Sequence, residues 1–191
     1  MNRLALFAAV VAACGSATDD RPATLEYITE TILAPTCALA ECHSVFKQQA
    51  GDVFDTPESV RRTIVVNGLA YQFEMDDPSQ TGLIRSLTVG LTSVIDASRG
   101  LVRMPFVQPM PDADVQLIAR WIGDGVPGAQ CLPNAQNRGC QIVTIKVGGI
   151  TMIDHYNAVE CVDGNIGAVI QACPTGQVCD SSDPQGNGQC R

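Results

Sequence analysis

Cys37-Ala38-Leu39-Ala40-Glu41-Cys42-His43 places two thiols and an imidazole within one short stretch. Each thiol can add across a vinyl group of haem to form a thioether, and the histidine after the second cysteine can then ligate the iron axially. The usual attachment spacing puts two residues between the cysteines; here four intervene. The same residues allow a plainer outcome, a local disulfide between Cys37 and Cys42 with His43 on the surface. An iron held by one histidine takes a second ligand or keeps an open position. A thioether suits an electron carrier, because it favours ferrous iron and raises the potential. Met104, in Arg103-Met104-Pro105, is the candidate, with Met110 and Met75 as rivals. The ordinary role of each methionine is to fill a gap in a core. His155 is the only other histidine; it follows Asp154 and reads as a solvated residue. With two histidines in all, Ser-His-Asp or Cys-His catalysis has little support. No Cys-x-x-Cys occurs, which removes most zinc-ribbon, iron–sulfur and thioredoxin-like readings. Asp180, Asp183 and Asn187 lack the alternating spacing of a calcium loop.

The elements that must position these residues change character along the chain of 191 residues. Up to residue 128 the apolar spacing is helical. Leu25, Ile28, Ile32 and Leu33 mark a first helix, N-capped by Thr24 and stopping near Pro35. Asp55-Thr56-Pro57-Glu58 opens a second through Val60, Ile64 and Val65, ending near Gly68. Asp77-Pro78-Ser79 opens a third with Leu83, Ile84 and Leu87, and Pro111-Asp112 starts a last one with Val115, Leu117, Ile118, Trp121 and Ile122. After Val126-Pro127-Gly128-Ala129-Gln130 the composition shifts. Gln141–Val147 alternates like a strand ending at Gly148-Gly149, and Ile150–Ile153 can pair back as a hairpin. The tail holds Cys131, Cys140, Cys161, Cys173, Cys179 and Cys190 among many turn residues, so disulfides should stabilise it. The expectation is a mainly α fold: a helical domain over 24–128, then a small disulfide-rich domain over 129–191 with short β-strands.

The first residues read as targeting. A basic Met1-Asn2-Arg3 precedes an apolar run from Leu4 to Ala13, too short to span a bilayer and suited to a signal peptide over 1–13. Val11-Ala12-Ala13-Cys14 resembles a bacterial lipobox, which implies lipidation of Cys14 and a polar tether over 14–23. Plain signal cleavage with Cys14 as a bystander is the simpler alternative. An exported chain can keep disulfides. Twenty acidic against twelve basic residues give a net charge of −8, so nucleic acid is not an expected partner.

Taken in order, Ile32–Cys37…Cys42-His43, Asp77-Pro78-Ser79…Leu83-Ile84, Met104-Pro105 and Leu117–Gly125 resemble a mono-haem cytochrome c domain of the kind found in exported planctomycete and myxobacterial proteins. The resemblance covers about residues 25–128. It implies a cytochrome c-like helical fold with thioethers at Cys37 and Cys42, His43 as proximal ligand and Met104 as distal ligand. It further implies one covalent haem c, a redox partner protein and single-electron transfer rather than catalysis. Together with the lipobox it places the chain in the cell envelope, on the outer membrane, held by its lipid. The alternative expectation is a haem-free, disulfide-rich surface lipoprotein that acts as a binding module. A third is a cytochrome domain serving a separately encoded oxidoreductase.

Overall fold

The computed structural model describes residues 19–70, 76–89, 91–92, 101–105, 108–180 and 188–191. The expected signal peptide, Cys14, the first part of the tether and the rival ligand Met75 lie outside the described residues.

The first helix starts where its cap predicts. Thr24 Oγ1 accepts the Tyr27 N–H, opening α1 (Leu25–Ile28). The chain then widens into a π-helical turn, Thr29–Leu33, and continues as α2 (Ala34–Cys37). The expected stop near Pro35 is therefore wrong by two residues. The ring of Pro35 would meet the carbonyl four residues back in a regular α-helix, and the widened turn precedes it directly. α3 (Pro57–Asn67) has a full capping box between Thr56 and Ser59, Pro57 in its first turn, and Gly68 as a left-handed C-cap. α4 (Gly82–Thr88) follows a short 3₁₀ turn at Pro78–Gln80, and α5 (Asp112–Gly123) closes the bundle. Strands β1 (Leu91–Thr92) and β2 (Leu101–Val102) form a two-residue pair between α4 and α5. One core joins these helices: Leu25, Ile28, Leu33, Val60, Leu87, Leu117, Ile118, Trp121 and Ile122 are all at most 1% exposed. α1 packs against both α3 and α5.

The second half corrects the expected fold class. It is not a helical protein with a small appendage of short strands; it is mixed α/β. β3 (Arg138–Val147), β4 (Ile150–Val162) and β5 (Asn165–Ala172) form an antiparallel sheet in that order, with strands of 10, 13 and 8 residues. The turn at Gly148-Gly149 is where the sequence puts it, and both glycines have positive φ. β4 runs on past Ile153 because bulges near Val143 and Val159 absorb the break in its alternation. A last pair, β6 (Cys179–Asp180) and β7 (Gln189–Cys190), closes the chain. Three disulfides tie this half together: Cys131–Cys161, Cys140–Cys179 and Cys173–Cys190. Its small core consists of Ala158 with Cys173 and Cys179, flanked by Cys140, Tyr156 and Cys190.

The segment between the halves is bonded to both. Trp121 Nε1 donates to the Pro127 carbonyl at 3.0 Å, and Arg61 Nε to that of Gly128 at 2.6 Å. From the sheet side, the Gly164 carbonyl accepts from Gln130 and Cys131, and Asn165 Oδ1 accepts the Gly128 N–H. The β4–β5 turn thus sits on the joining segment. Gly164 has φ +78, and a Cβ there would lie 2.0 Å from the Gly128 oxygen.

Candidate functional site

The end of α2 delivers Cys37 to a corner made by the following turns. His43 N–H donates to the Cys37 carbonyl at 3.1 Å and Cys42 N–H to that of Leu39 at 2.8 Å, so the loop from Cys37 to His43 closes on itself. Two further bonds fix its exit: Gln49 N–H to the Cys42 carbonyl at 3.1 Å, and Phe54 N–H to the His43 carbonyl at 2.9 Å. Ser44, 3% exposed, bonds back to the Ala40 carbonyl. The spacing of four residues between the cysteines is thus one closed backbone turn.

Cys37 and Cys42 are free thiols, while the six cysteines after residue 130 are all paired. The local Cys37–Cys42 disulfide considered from the sequence is therefore not formed. Burial pushes the Cys37 thiol pKa up; the Thr36 hydroxyl, 3.4 Å from Cys37 Sγ, opposes this, and the neighbouring Cys42 adds to the rise. Cys37 is thus held as a neutral thiol. His43 is half-buried with its ring centroid 5.2 Å from that of Phe54, and its Nδ1 is buried without a hydrogen-bond partner. Asp52 stands nearby. Burial raises its pKa, against the opposing effects of the Asn67 amide and the charge of His43. Three apolar side chains are exposed in this stretch, Leu39 at 52%, Val45 at 56% and Phe46 at 90%, beside the exposed Glu41 and Lys47.

Met104 is half-buried beside the end of α4, its N–H donating to the Ser86 carbonyl at 2.8 Å. Met110 is 3% exposed inside the helical core, where it fills space, as its plainer reading has it. His155 Nδ1 lies 2.7 Å from Asp154 on the exposed sheet, the solvated pair expected of it. Phe54 and Asp52 were not anticipated as neighbours of His43. Both lie in an irregular stretch before α3, and nothing in its sequence spacing points back to the histidine.

The chain matches no protein-family model, and neither curated proteins nor solved structures resemble it significantly. The resemblance to a mono-haem cytochrome c domain is corrected on these findings. No family relation supports it, the architecture is mixed α/β with three disulfides, and among the described residues no group of three or more His, Cys, Asp or Glu could hold a metal ion. No helix among the described residues is long and apolar enough to cross a membrane.

Proposed function

We propose that this is an exported, lipid-anchored carrier of single electrons, and that the Cys37–Cys42–His43 corner holds one haem covalently. The reading rests on the corner's own chemistry and not on family membership. The observation that carries it is that two adjacent thiols stay free next to a histidine in a chain whose described cysteines are otherwise all oxidised. The two thiols would bond vinyl carbons and not the iron, so holding haem does not require three side chains converging on one metal ion. Cys37 and Cys42 would each add their S–H across a vinyl double bond, sulfur to one carbon and hydrogen to the other, with no oxidant consumed. The bared apolar side chains of Leu39, Val45 and Phe46 would cover a macrocycle placed there. His43 would hold the iron, and its unpartnered Nδ1 is a buried polar atom that the protein alone leaves unexplained. Met104 would be the second protein ligand; Met110 is committed to the core. Once bound, the group supplies one-electron chemistry, and the exposed apolar rim is where a redox partner protein would approach. Three disulfides favour an oxidising compartment, in line with export to the cell envelope.

The test is expression in a host with haem-attachment machinery, followed by denaturation and haem-dependent peroxidase staining. A stained band that disappears in Cys37→Ser and Cys42→Ser supports the proposal. No stain, with an intact mass that shows a Cys37–Cys42 disulfide, overturns it. One observation favours a second reading, a haem-free binding module: the hairpin of β3 and β4 exposes Ile145, Val147, Ile150, Met152 and Ile153. The unstained outcome would promote it.

A further inference from the structure

We propose that the tip of the β3–β4 hairpin is a lipid-contacting surface, which seats its apolar face in the interface of the bilayer that carries the Cys14 anchor. This rests on the lipid-anchor part of the proposed function and not on haem. In the register of β3 with β4, Ile145 pairs with Met152 and Val147 with Ile150. Directly opposed residues share a face of the ribbon, and so do alternate pairs, so these four side chains form one apolar patch. Ile145 is 43%, Met152 52%, Val147 54% and Ile150 68% exposed, and none belongs to either core. The other face carries Lys146 opposite Thr151, and Lys146 Nζ reaches Asp76 of the helical half at 2.7 Å. The turn is Gly148-Gly149, with no polar side chain to keep the tip in water. No carboxylate occurs between Arg138 and Asp154, although the whole chain carries a net charge of −8. A bilayer interface accepts apolar side chains arranged in this way and resists buried carboxylates.

What selects a bilayer as the occupant is where the tether leaves the fold. Arg120 of α5 donates to the carbonyls of Asp19 and Arg21, which pins the first described residues to that helix. Cys14 precedes Asp19 by five residues, a reach of about 17 Å when fully extended. A lipid on Cys14 therefore keeps this side of α5 close to the membrane. The hairpin belongs to the same side. About one turn on from Arg120, Gly123 packs against Pro78, whose Cγ lies 3.4 Å from where a Gly123 Cβ would stand. Two residues before Pro78, Asp76 makes the bond to Lys146, the neighbour of Val147. Three contacts thus lead from the tether to the hairpin. A flexible tether alone leaves the body free to swing, and an apolar patch within its reach meets the bilayer at high effective concentration.

The experiment uses the full chain, purified from a host that processes lipoproteins and placed in phosphatidylcholine vesicles with brominated acyl chains, which quench nearby indoles. Intact mass, with or without a diacylglyceryl group, tests the anchor by itself. Ile150→Trp puts a reporter at the tip. Its emission should shift to the blue and fall by about half or more relative to unbrominated vesicles. Trp121, buried in the helical core, should be unaffected, and the unsubstituted chain supplies that background. Val178→Trp is the control for indole's own affinity for lipid, since Val178 is exposed beside the Cys140–Cys179 bridge at the far end of β3; it should stay unquenched. Val147→Lys added to Ile150→Trp should abolish the quenching. Circular dichroism and the mass of the three-disulfide chain show that each variant is folded, and Met152→Trp reports from the same face if Ile150→Trp is not. A lipidated chain whose tip indole is quenched no more than that of Val178→Trp overturns the proposal alone, and leaves the hairpin to a protein partner. A chain without the lipid mass refutes the anchor, and the proposal with it.

Discussion

The two free thiols differ in what their neighbours do to them. Cys37 is 8% exposed and its pKa is raised by burial, whereas Cys42 is half-buried at the turn. Only a thiolate is a good nucleophile, so both access and ionisation slow Cys37. In the haem-free chain Cys42 should be alkylated by iodoacetamide well before Cys37 at pH 8, read by peptide mass spectrometry over time. Equal rates would mean that the Cys37 thiol is not protected as the packing of α2 implies. The corner itself was legible from the sequence, because two cysteines and a histidine so close together leave few chemical options. Phe54 and Asp52 were not, since they meet His43 through the backbone bond of residue 54 rather than by any regular spacing.

At the scale of elements, the helices were readable because each carries a local signal. Thr24 and Thr56 cap, Pro57 opens, Gly68 closes, and the apolar stripe of α5 repeats at helical intervals. The sheet was half readable. β3 alternates, and its glycine turn is explicit. β4 and β5 are hidden because bulges shift the period and β5 exposes both of its faces, so burial imposes no alternation on its residues. The most position-specific element is the β4–β5 turn. Gly164→Ala combines a positive φ with a Cβ against the Gly128 backbone and should cost about 2–4 kcal/mol in denaturant unfolding. Gly148→Ala is the comparison: it also has a positive φ but meets nothing within 4 Å, so it should cost only about 1–2 kcal/mol. Equal losses would show that the turn bears on nothing.

Over the whole molecule the two halves draw stability from different sources. The helical half has a continuous apolar core, and the sheet half has a core built largely of cystine sulfur. Closing loops of 17, 30 and 39 residues should contribute about 3–4 kcal/mol per bridge. Reduction should therefore loosen the sheet first. The single tryptophan, Trp121, is fully buried in the helical half and reports on that half alone. With excess reductant, hydrogen exchange in β4 should rise sharply while Trp121 emission keeps its native maximum. A simultaneous shift of both would mean that the junction at Gly128 and Gly164 makes the halves one cooperative unit.

Each of the three bridges closes within residues 131–190, and none reaches back to Cys37 or Cys42. Disulfide exchange needs a thiolate to reach a bridge sulfur in line. Cys37 is a buried neutral thiol, and Cys131 and Cys161 are 0% exposed, whereas Cys42, Cys140 and Cys190 are half-buried. The folded chain therefore keeps two sulfur populations, one reduced and one oxidised, and exchange between them is narrowed to Cys42 and the outer sulfurs of two bridges. That narrowing lets a single polypeptide be stapled by oxidation while keeping a pair of thiols available for other chemistry.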